Sequence, residues 1–128
     1  MGRILVIDDD HAMRGTIRRI LERDGHEVTE APNGRRGLEI FRAEGADVVV
    51  TDLIMPEKEG IETIIELRAE SDDVRILAVS GGEWVSAGEG RLLDAETLGA
   101  NASLAKPFTV DQLRETVAAL IRGDDLTD

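Results

Sequence analysis

The chain has 128 residues and a formal net charge of −12, which suits one folded domain and disfavours binding to a nucleic-acid backbone. Cysteine is absent, which excludes disulfides and thiolate chemistry. The sequence contains no run of about 18 apolar residues and no apolar signal-peptide core at its start, so we expect no membrane association. The composition favours a cytoplasmic protein.

Short apolar runs alternate along the chain with longer amphipathic segments. Runs at residues 3–7, 47–51 and 74–79 are rich in β-branched side chains and too short for helices, so they predict strands buried on both faces of a parallel sheet. Residues 26–30 alternate between apolar and polar side chains, as an edge strand does, and residues 101–105 give the weakest strand signal. The sequence therefore predicts five strands.

Amphipathic helices are predicted after each strand, because apolar residues recur there at helical spacing. Alternation of five strands with five helices predicts an α/β protein with a doubly wound, five-stranded parallel sheet. Residues 1–123 are predicted to form this single domain and residues 124–128 an acidic tail. The helix markers are Met13, Ile17, Ile20 and Leu21; Gly37, Leu38 and Phe41; Ile61, Ile64 and Ile65; Leu92, Ala95 and Leu98; and Val110, Leu113, Val117, Leu120 and Ile121, with Thr109 as N-cap.

Polar residues follow four of the five predicted strands. They are Asp8, Asp9 and Asp10 after the first strand, Asp52 after the third, Ser80 after the fourth and Lys106 after the fifth. Ligands of open parallel sheets bind beyond the carboxyl ends of the strands, so these side chains are predicted to converge. Carboxylates brought together repel one another, and a divalent cation relieves that repulsion. An all-oxygen ligand set favours Mg²⁺ over Zn²⁺.

Phosphoryl transfer to a carboxylate is the chemistry that suits such an edge. Mg²⁺ and Lys106 would neutralise phosphoryl charge, and Ser80 would donate a hydrogen bond. Asp52 is the best-placed nucleophile, because it follows the most continuously apolar strand, which should be central and rigid. The chain contains neither GxxxxGK[ST] nor GxGxxG, which removes the commonest nucleotide-binding motifs.

Several motifs occur together along the chain: Asp8-Asp9, Asp52 with Met55-Pro56 and Gly60, Ser80-Gly81, and Lys106-Pro107-Phe108. This combination resembles the response-regulator receiver domain of two-component signalling. The resemblance extends from the first strand to the last helix. It implies a flavodoxin-like (βα)5 fold with strand order 2-1-3-4-5 and a cis peptide bond before Pro107.

The resemblance also implies the roles of the site residues. Asp52 would accept a phosphoryl group from a sensor histidine kinase or a histidine phosphotransfer protein, and Ser80 and Lys106 would contact the phosphoryl oxygens. The metal site would comprise Asp9, Asp52 and the backbone carbonyl of Ile54, with Asp8 acting largely through water. Such a protein is a signalling receiver that catalyses only its own phosphorylation and dephosphorylation, and it signals to an unidentified downstream protein.

The sequence departs from the family pattern at several positions. Ser103 stands where the family often has an aromatic switch residue, and residues 80–90 form a long, glycine-rich connection. We therefore expect phosphorylation to act through rearrangement of that connection. Ile54 and Gly82 occupy positions where polar side chains help to orient the hydrolytic water, which predicts slow self-dephosphorylation.

Three alternatives remain open at this point. Asp8-x-Asp10 also resembles the nucleophile motif of haloacid-dehalogenase-type phosphatases, although Asp52 and the Lys106-Pro107-Phe108 motif would then have no role. A degenerate receiver that serves only as an interaction module would lack a site residue. A receiver excised from a larger protein is the third alternative, and Met1 with the short acidic end favours a complete single-domain protein.

Four arginines are predicted on the first helix, away from its apolar stripe: Arg14, Arg18, Arg19 and Arg23. They predict either a solvated face paired with acids such as Glu22 or a docking surface for an acidic partner. His11 and His26 are expected to be solvated or to cap helices.

Overall fold

A five-stranded parallel sheet lies at the centre of the computed structural model, which describes residues 2–53, 59–80 and 99–123. The strands are β1 (Arg3–Ile7), β2 (Glu27–Ala31), β3 (Val48–Asp52), β4 (Arg75–Ser80) and β5 (Ala102–Ala105). The helices of the described residues are α1 (His11–Arg23), α2 (Gly34–Glu44), α3 (Glu59–Glu70) and α4 (Val110–Arg122).

The sheet has the strand order β2-β1-β3-β4-β5, which confirms the predicted fold class and the central place of β3. All neighbouring strands pair in parallel. β3 and β4 end one residue later than the sequence indicates, so Asp52 and Ser80 are the last residues of their strands. The helix predicted around Leu92, Ala95 and Leu98, most of the connection 80–90 and the tail 124–128 lie outside the described residues.

The sheet is buried on both faces, as the β-branched runs predict. On one face Leu5 and Ile76 pack in a cluster with Ile64 of α3. On the other face Val50 packs in a cluster with Ile17 of α1. Successive residues of a strand point to opposite faces, so one apolar run supplies both clusters. Burial of one such aliphatic side chain contributes about 1.5–3 kcal/mol, which makes the central strands a rigid support for residues at their ends.

Three of the described helices begin with a side-chain cap, from Asp10 in α1, Asn33 in α2 and Thr109 in α4. The carboxylate of Asp10 accepts hydrogen bonds from the backbone N–H groups of Ala12 and Met13, at 3.0 and 3.2 Å. The hydroxyl of Thr109 accepts from the Gln112 N–H, and the Gln112 side chain accepts from the Thr109 N–H, at 3.0 and 2.8 Å. The predicted cap at Thr109 is confirmed as a reciprocal capping box.

Three details differ from the sequence pattern. Ile65 and Val110, which share the apolar periodicity of their helices, are 46% and 52% exposed. The expectation that His26 is solvated or caps a helix is wrong, because its side chain is buried and its Nδ1 accepts a 3.0 Å hydrogen bond from the Gly2 N–H. Burial lowers the pKa of His26. Among the described residues, the structure has no helix with the length and apolarity needed to cross a membrane.

Candidate functional site

The carboxyl ends of β3, β4 and β5 are joined by backbone hydrogen bonds that continue past the strands. The Leu53 N–H donates to the Val79 carbonyl at 2.8 Å, and the Lys106 N–H donates to the Ser80 carbonyl at 2.6 Å. These bonds hold the backbone of Asp52, Ser80 and Lys106 in register. The three positions therefore belong to one rigid edge of the sheet.

Three carboxylates converge at this edge. Asp8, Asp9 and Asp52 each offer an oxygen atom, and the three atoms lie within 4.8 Å of one another. Asp8 and Asp52 are 2% and 5% exposed, whereas Asp9 is exposed. Carboxylate oxygens at this spacing fit a hard divalent cation such as Mg²⁺, which binds oxygen ligands and keeps several waters.

The electrostatics of Asp8 show the cost of this arrangement. Burial, together with the smaller effect of the negative charge of Asp52, raises the pKa of Asp8 to about 6. A 2.9 Å hydrogen bond from the Asp10 N–H to Asp8 Oδ1, together with the Lys106 charge, acts in the opposite direction. Crowding of buried carboxylates is therefore only partly compensated by the protein itself.

Lys106 lies between the two buried acids. Its Nζ donates a 3.2 Å hydrogen bond to Asp52 Oδ2 and is 3.8 Å from Asp8 Oδ2. The peptide bond that joins Lys106 to Pro107 is cis, as the resemblance implies. One of only two lysines in the chain therefore serves this edge.

Ser80 contributes a buried hydroxyl. The residue is 0% exposed, and its Oγ has no hydrogen-bond partner among the residues that the structure describes. An unsatisfied buried polar group costs about 1–3 kcal/mol, so such groups are retained mainly where a ligand or water satisfies them. The hydroxyl is available to donate a hydrogen bond at the end of β4.

Gly60 allows α3 to approach the strand end that carries Asp52. A Cβ atom at Gly60 would lie 2.6 Å from the Leu53 Cα and 2.9 Å from the Leu53 carbonyl oxygen. Contacts this short to backbone atoms cannot be relieved by a rotamer change. Close packing of α3 against the backbone after β3 therefore requires glycine at position 60.

The remaining predicted residues are distributed as follows. Ile54, whose carbonyl is expected to bind the metal, lies outside the described residues, as does Gly82. Ser103 lies on β5 and is partly buried. Asp10 caps α1, so its carboxylate serves the helix rather than the acidic cluster.

Arg14 is a site neighbour that the sequence analysis assigned either to a solvated face or to a docking surface for an acidic partner. Its Nη1 donates to the Asp8 carbonyl oxygen at 2.8 Å, and its Nε donates to Glu30 Oε1 at 2.8 Å. The available signal was its place in the first turn of α1, six residues after Asp8. The contact of Arg14 with both Asp8 and Glu30 depends on β2 lying beside β1, which the sequence pattern does not show.

Residues 4–118 match the family model described as the response regulator receiver domain. The chain belongs to this family. Response regulators of this kind act in two-component signalling, so the chain is a signalling receiver domain.

Relatives and solved structures agree with this assignment. The response regulator MprA of Mycolicibacterium vanbaalenii is 40% identical in an alignment 123 positions long, which covers 94% of this chain and 50% of that protein. MprA of Mycobacterium ulcerans is 39% identical in an alignment 129 positions long, which covers 98% of this chain and 53% of that protein. The chain thus spans about half the length of these curated relatives.

Among solved structures, a response regulator receiver domain protein from Clostridium thermocellum superposes with a TM-score of 0.86 at 30% identity, covering 96% of each chain. The chemotaxis protein CheY4 of Vibrio cholerae superposes with a TM-score of 0.83 at 27% identity, covering 94% of this chain and 98% of that one. Both similarities extend over nearly the whole chain.

Proposed function

We propose that this receiver domain, residues 1–123, accepts one phosphoryl group on Asp52 with the help of Mg²⁺. Asp8, Asp9, Asp52 and the Ile54 carbonyl would hold the ion. The observation that carries the proposal is the position of Lys106 Nζ, 3.2 Å from Asp52 Oδ2 at an edge where three carboxylates converge. A buried nucleophilic carboxylate beside a fixed ammonium is the arrangement that phosphoryl transfer needs.

The transfer step exchanges one bond to phosphorus for another. A carboxylate oxygen of Asp52 forms the new P–O bond as the bond to the donor breaks. The electron pair of that bond leaves with the imidazole nitrogen of a phosphohistidine or with the acetate oxygen of acetyl phosphate. Mg²⁺, when bound, supplies positive charge that offsets the carboxylates and the phosphoryl oxygens.

Two protein groups have assigned roles towards the transferred phosphoryl. Lys106 already donates to Asp52, and its ammonium would contact a phosphoryl oxygen. The Ser80 hydroxyl, buried without a partner among the described residues, would donate to another. Donors placed before the reaction need no reorganisation when charge moves onto the phosphoryl oxygens.

The physiological donor in this proposal is a sensor histidine kinase or a histidine phosphotransfer protein in the cytoplasm. The domain catalyses only its own phosphorylation and dephosphorylation, and a downstream protein reads the surface around the connection 80–90. Support comes from family membership and from the response-regulator names of the relatives. Slow loss of the phosphoryl group, expected from Ile54 and Gly82, belongs to the same proposal, and a half-life of seconds would contradict it.

Intact-mass analysis after incubation with acetyl phosphate and Mg²⁺ tests the proposal. We expect one added phosphoryl group on the wild type, none on Asp52→Asn, and none when EDTA is present. Asp111→Asn is the matched control, since it removes the same charge from a side chain that is 77% exposed on α4. Labelling that persists in Asp52→Asn would remove Asp52 as the acceptor.

The phosphatase alternative places the nucleophile on Asp8. In the structure, Asp8 Oδ1 accepts a hydrogen bond from the Asp10 N–H, and the Asp10 carboxylate accepts from the first turn of α1. The two carboxylates of that motif are therefore engaged by backbone N–H groups and are not arranged as a pair around a common substrate. Turnover of a phosphomonoester through a burst on Asp8 would restore this alternative.

A further inference from the structure

Arg14 has no part in the proposed transfer, yet it is among the most connected side chains near the acidic cluster. It lies in the first turn of α1, and its side chain is 12% exposed. Its guanidinium donates through Nη1 to the Asp8 carbonyl oxygen at 2.8 Å and through Nε to Glu30 Oε1 at 2.8 Å. Its Nη2 lies 2.9 Å from His11 Nδ1.

These contacts hold the turn after β1 against β2. The Asp8 N–H donates directly to the Ala31 carbonyl at the end of β2, at 3.1 Å. The Asp8 carbonyl is tied to the same strand through Arg14 and Glu30. Both backbone polar groups of Asp8 are therefore fixed to the neighbouring strand.

The orientation of the Asp8 carbonyl determines where Asp9 lies. The peptide unit between the two residues is planar, so fixing the carbonyl also fixes the N–H of Asp9 and the direction in which its Cα continues. Asp9 is exposed, so packing does little to hold its side chain. The carbonyl accepts from Nη1 of a planar guanidinium whose Nε is held by Glu30, and this gives the turn a defined geometry.

We propose that Arg14 is a positioning residue that sets the turn so that Asp8 and Asp9 meet Asp52 as one metal site. The inference rests on the proposed role of Mg²⁺ at these carboxylates. Arg14 acts through the backbone carbonyl of Asp8 and through Glu30. Groups that orient metal ligands from behind commonly contribute 10–100-fold in metal affinity.

Arg18 provides a matched comparison within the same helix. It lies one turn after Arg14 and donates to the other oxygen of Glu30, Oε2, at 2.8 Å. Its Nε also donates to Glu22 Oε2 at 3.0 Å, and its side chain is 45% exposed. Both arginines lower the pKa of Glu30, which keeps it ionised as their shared anchor. Contact with the Asp8 carbonyl distinguishes the two.

Charge and geometry predict opposite signs for the loss of Arg14. Removing a positive charge near an acidic site makes the potential there more negative, which by itself strengthens binding of a cation. Losing the hydrogen bond that fixes the Asp8 carbonyl weakens binding of the cation. A weaker affinity for Mg²⁺ in Arg14→Gln must therefore come from lost geometry.

The experiment compares Arg14→Gln with Arg18→Gln by isothermal titration of the metal-free full chain with MgCl₂. We expect Arg14→Gln to raise the Kd for Mg²⁺ about 10-fold and Arg18→Gln to stay within about twofold of the wild type. At saturating Mg²⁺ the labelling rate of Arg14→Gln with acetyl phosphate should return to within about twofold of the wild type. A general loss of structure would not be rescued by added metal.

Arg14→Lys keeps the charge but offers a single point donor in place of the fork, and it should raise the Kd at least about threefold. This variant decides the question if Arg14→Gln does not fold. Wild-type affinity in Arg14→Lys, or equal changes in Arg14→Gln and Arg18→Gln, would overturn the positioning role alone. A wild type that binds no Mg²⁺ would instead overturn the proposed function together with this inference.

Discussion

The two ends of the parallel sheet differ in whether their buried and partly buried polar groups have partners. At the amino end, Asn101 Oδ1 accepts from the Ile76 N–H and from Arg68 Nη2, both at 2.8 Å. Arg68 Nη2 also donates to the Gly99 carbonyl at 2.9 Å. At the carboxyl end, Asp8 has a raised pKa, and Ser80 Oγ lacks a partner among the described residues.

This difference between the two ends indicates that the polar groups at the amino end contribute to stability and those at the carboxyl end to function. Burial lowers the pKa of Arg68, but its donors reach carbonyl and amide oxygens that satisfy them. A buried group with its partners in place contributes to stability, whereas a crowded carboxylate reduces it. Proteins retain such unfavourable arrangements where a ligand or reaction uses them.

The pH dependence of unfolding should reveal the cost of Asp8. Its pKa in the folded state is raised from 3.8 to about 6, so the folded state binds more protons than the unfolded state between those values. Stability from this residue is therefore highest below about pH 4 and falls as the pH rises to about 6. A shift of about two units corresponds to roughly 3 kcal/mol.

Denaturant unfolding in EDTA between pH 4 and 7 measures this effect in the wild type and in Asp8→Asn. The stability of the wild type relative to the variant should fall by up to about 3 kcal/mol as the pH rises. Taking the difference between the two proteins cancels groups such as Glu30 and Glu70, whose pKa values are lowered. If the difference in free energy of unfolding between the two proteins does not change with pH, burial of ionised Asp8 does not destabilise the fold as proposed.

Lys106→Gln should damage the chemistry more than the fold. Removing one fixed donor to a reacting oxygen commonly lowers the rate about 100-fold, equivalent to about 2.7 kcal/mol. The labelling rate with acetyl phosphate at saturating Mg²⁺ measures it. Affinity for Mg²⁺ should not weaken, because a positive charge has left the site. Arg36→Gln is the control, because it removes the charge of a side chain on α2 that is 58% exposed. Its labelling rate should equal that of the wild type.

Asn101→Ala should show the reverse pattern at the amino end. The Ile76 N–H and the Arg68 guanidinium lose their shared acceptor, and Ile76 is fully buried. We expect a loss of about 1–3 kcal/mol in the free energy of unfolding, measured by urea titration at pH 7. The labelling rate should stay within about twofold of the wild type. A variant that is stable but slow to label would mean that the two ends are not separate.

The smallest effect concerns the coupling of the two buried acids. In Asp52→Asn the pKa of Asp8 should fall, because the charge of Asp52 is one cause of its elevation. Burial is the larger cause, so the fall should be less than about one unit and the pKa should remain above its usual value. Carboxyl ¹³C chemical shifts followed across pH report it. An unchanged pKa would show that burial alone accounts for the elevation.

Much of the fold was accessible from local pattern. The β-branched runs placed β1, β3 and β4 to within one residue, since strands buried on both faces need continuous apolar side chains. The weaker alternation of β2 correctly indicated an edge. Thr109 was identified as a cap because its chemistry is local to the first turn of α4.

The candidate site was accessible for a different reason. Parallel strands present their carboxyl ends at one edge, so residues far apart in sequence could be assigned to one place once strands were recognised. The structure places Asp8, Asp9 and Asp52 together and Lys106 beside them. Their roles in binding Mg²⁺ and accepting a phosphoryl group remain predictions.

Other features depend on neighbours that no local pattern specifies. His26 was expected to be solvated or to cap a helix, yet it is buried and accepts a hydrogen bond from the Gly2 N–H, 24 residues away. The sequence analysis predicted no partner for Arg68 or Asn101, because their pairing depends on the start of β5 lying beside the end of α3.

The sequence by itself determined the alternation of elements, the identity of the acidic edge and the position of Asp52 at that edge, because each follows from periodicity and from residues at strand ends. Only the tertiary structure decided which arginine of α1 faces the site. Arg14 and Arg18 are one helical turn apart and have the same chemistry, but only Arg14 contacts the Asp8 carbonyl. That selection depends on the register of β1 against β2 and on the direction of one peptide carbonyl, which side-chain pattern does not encode.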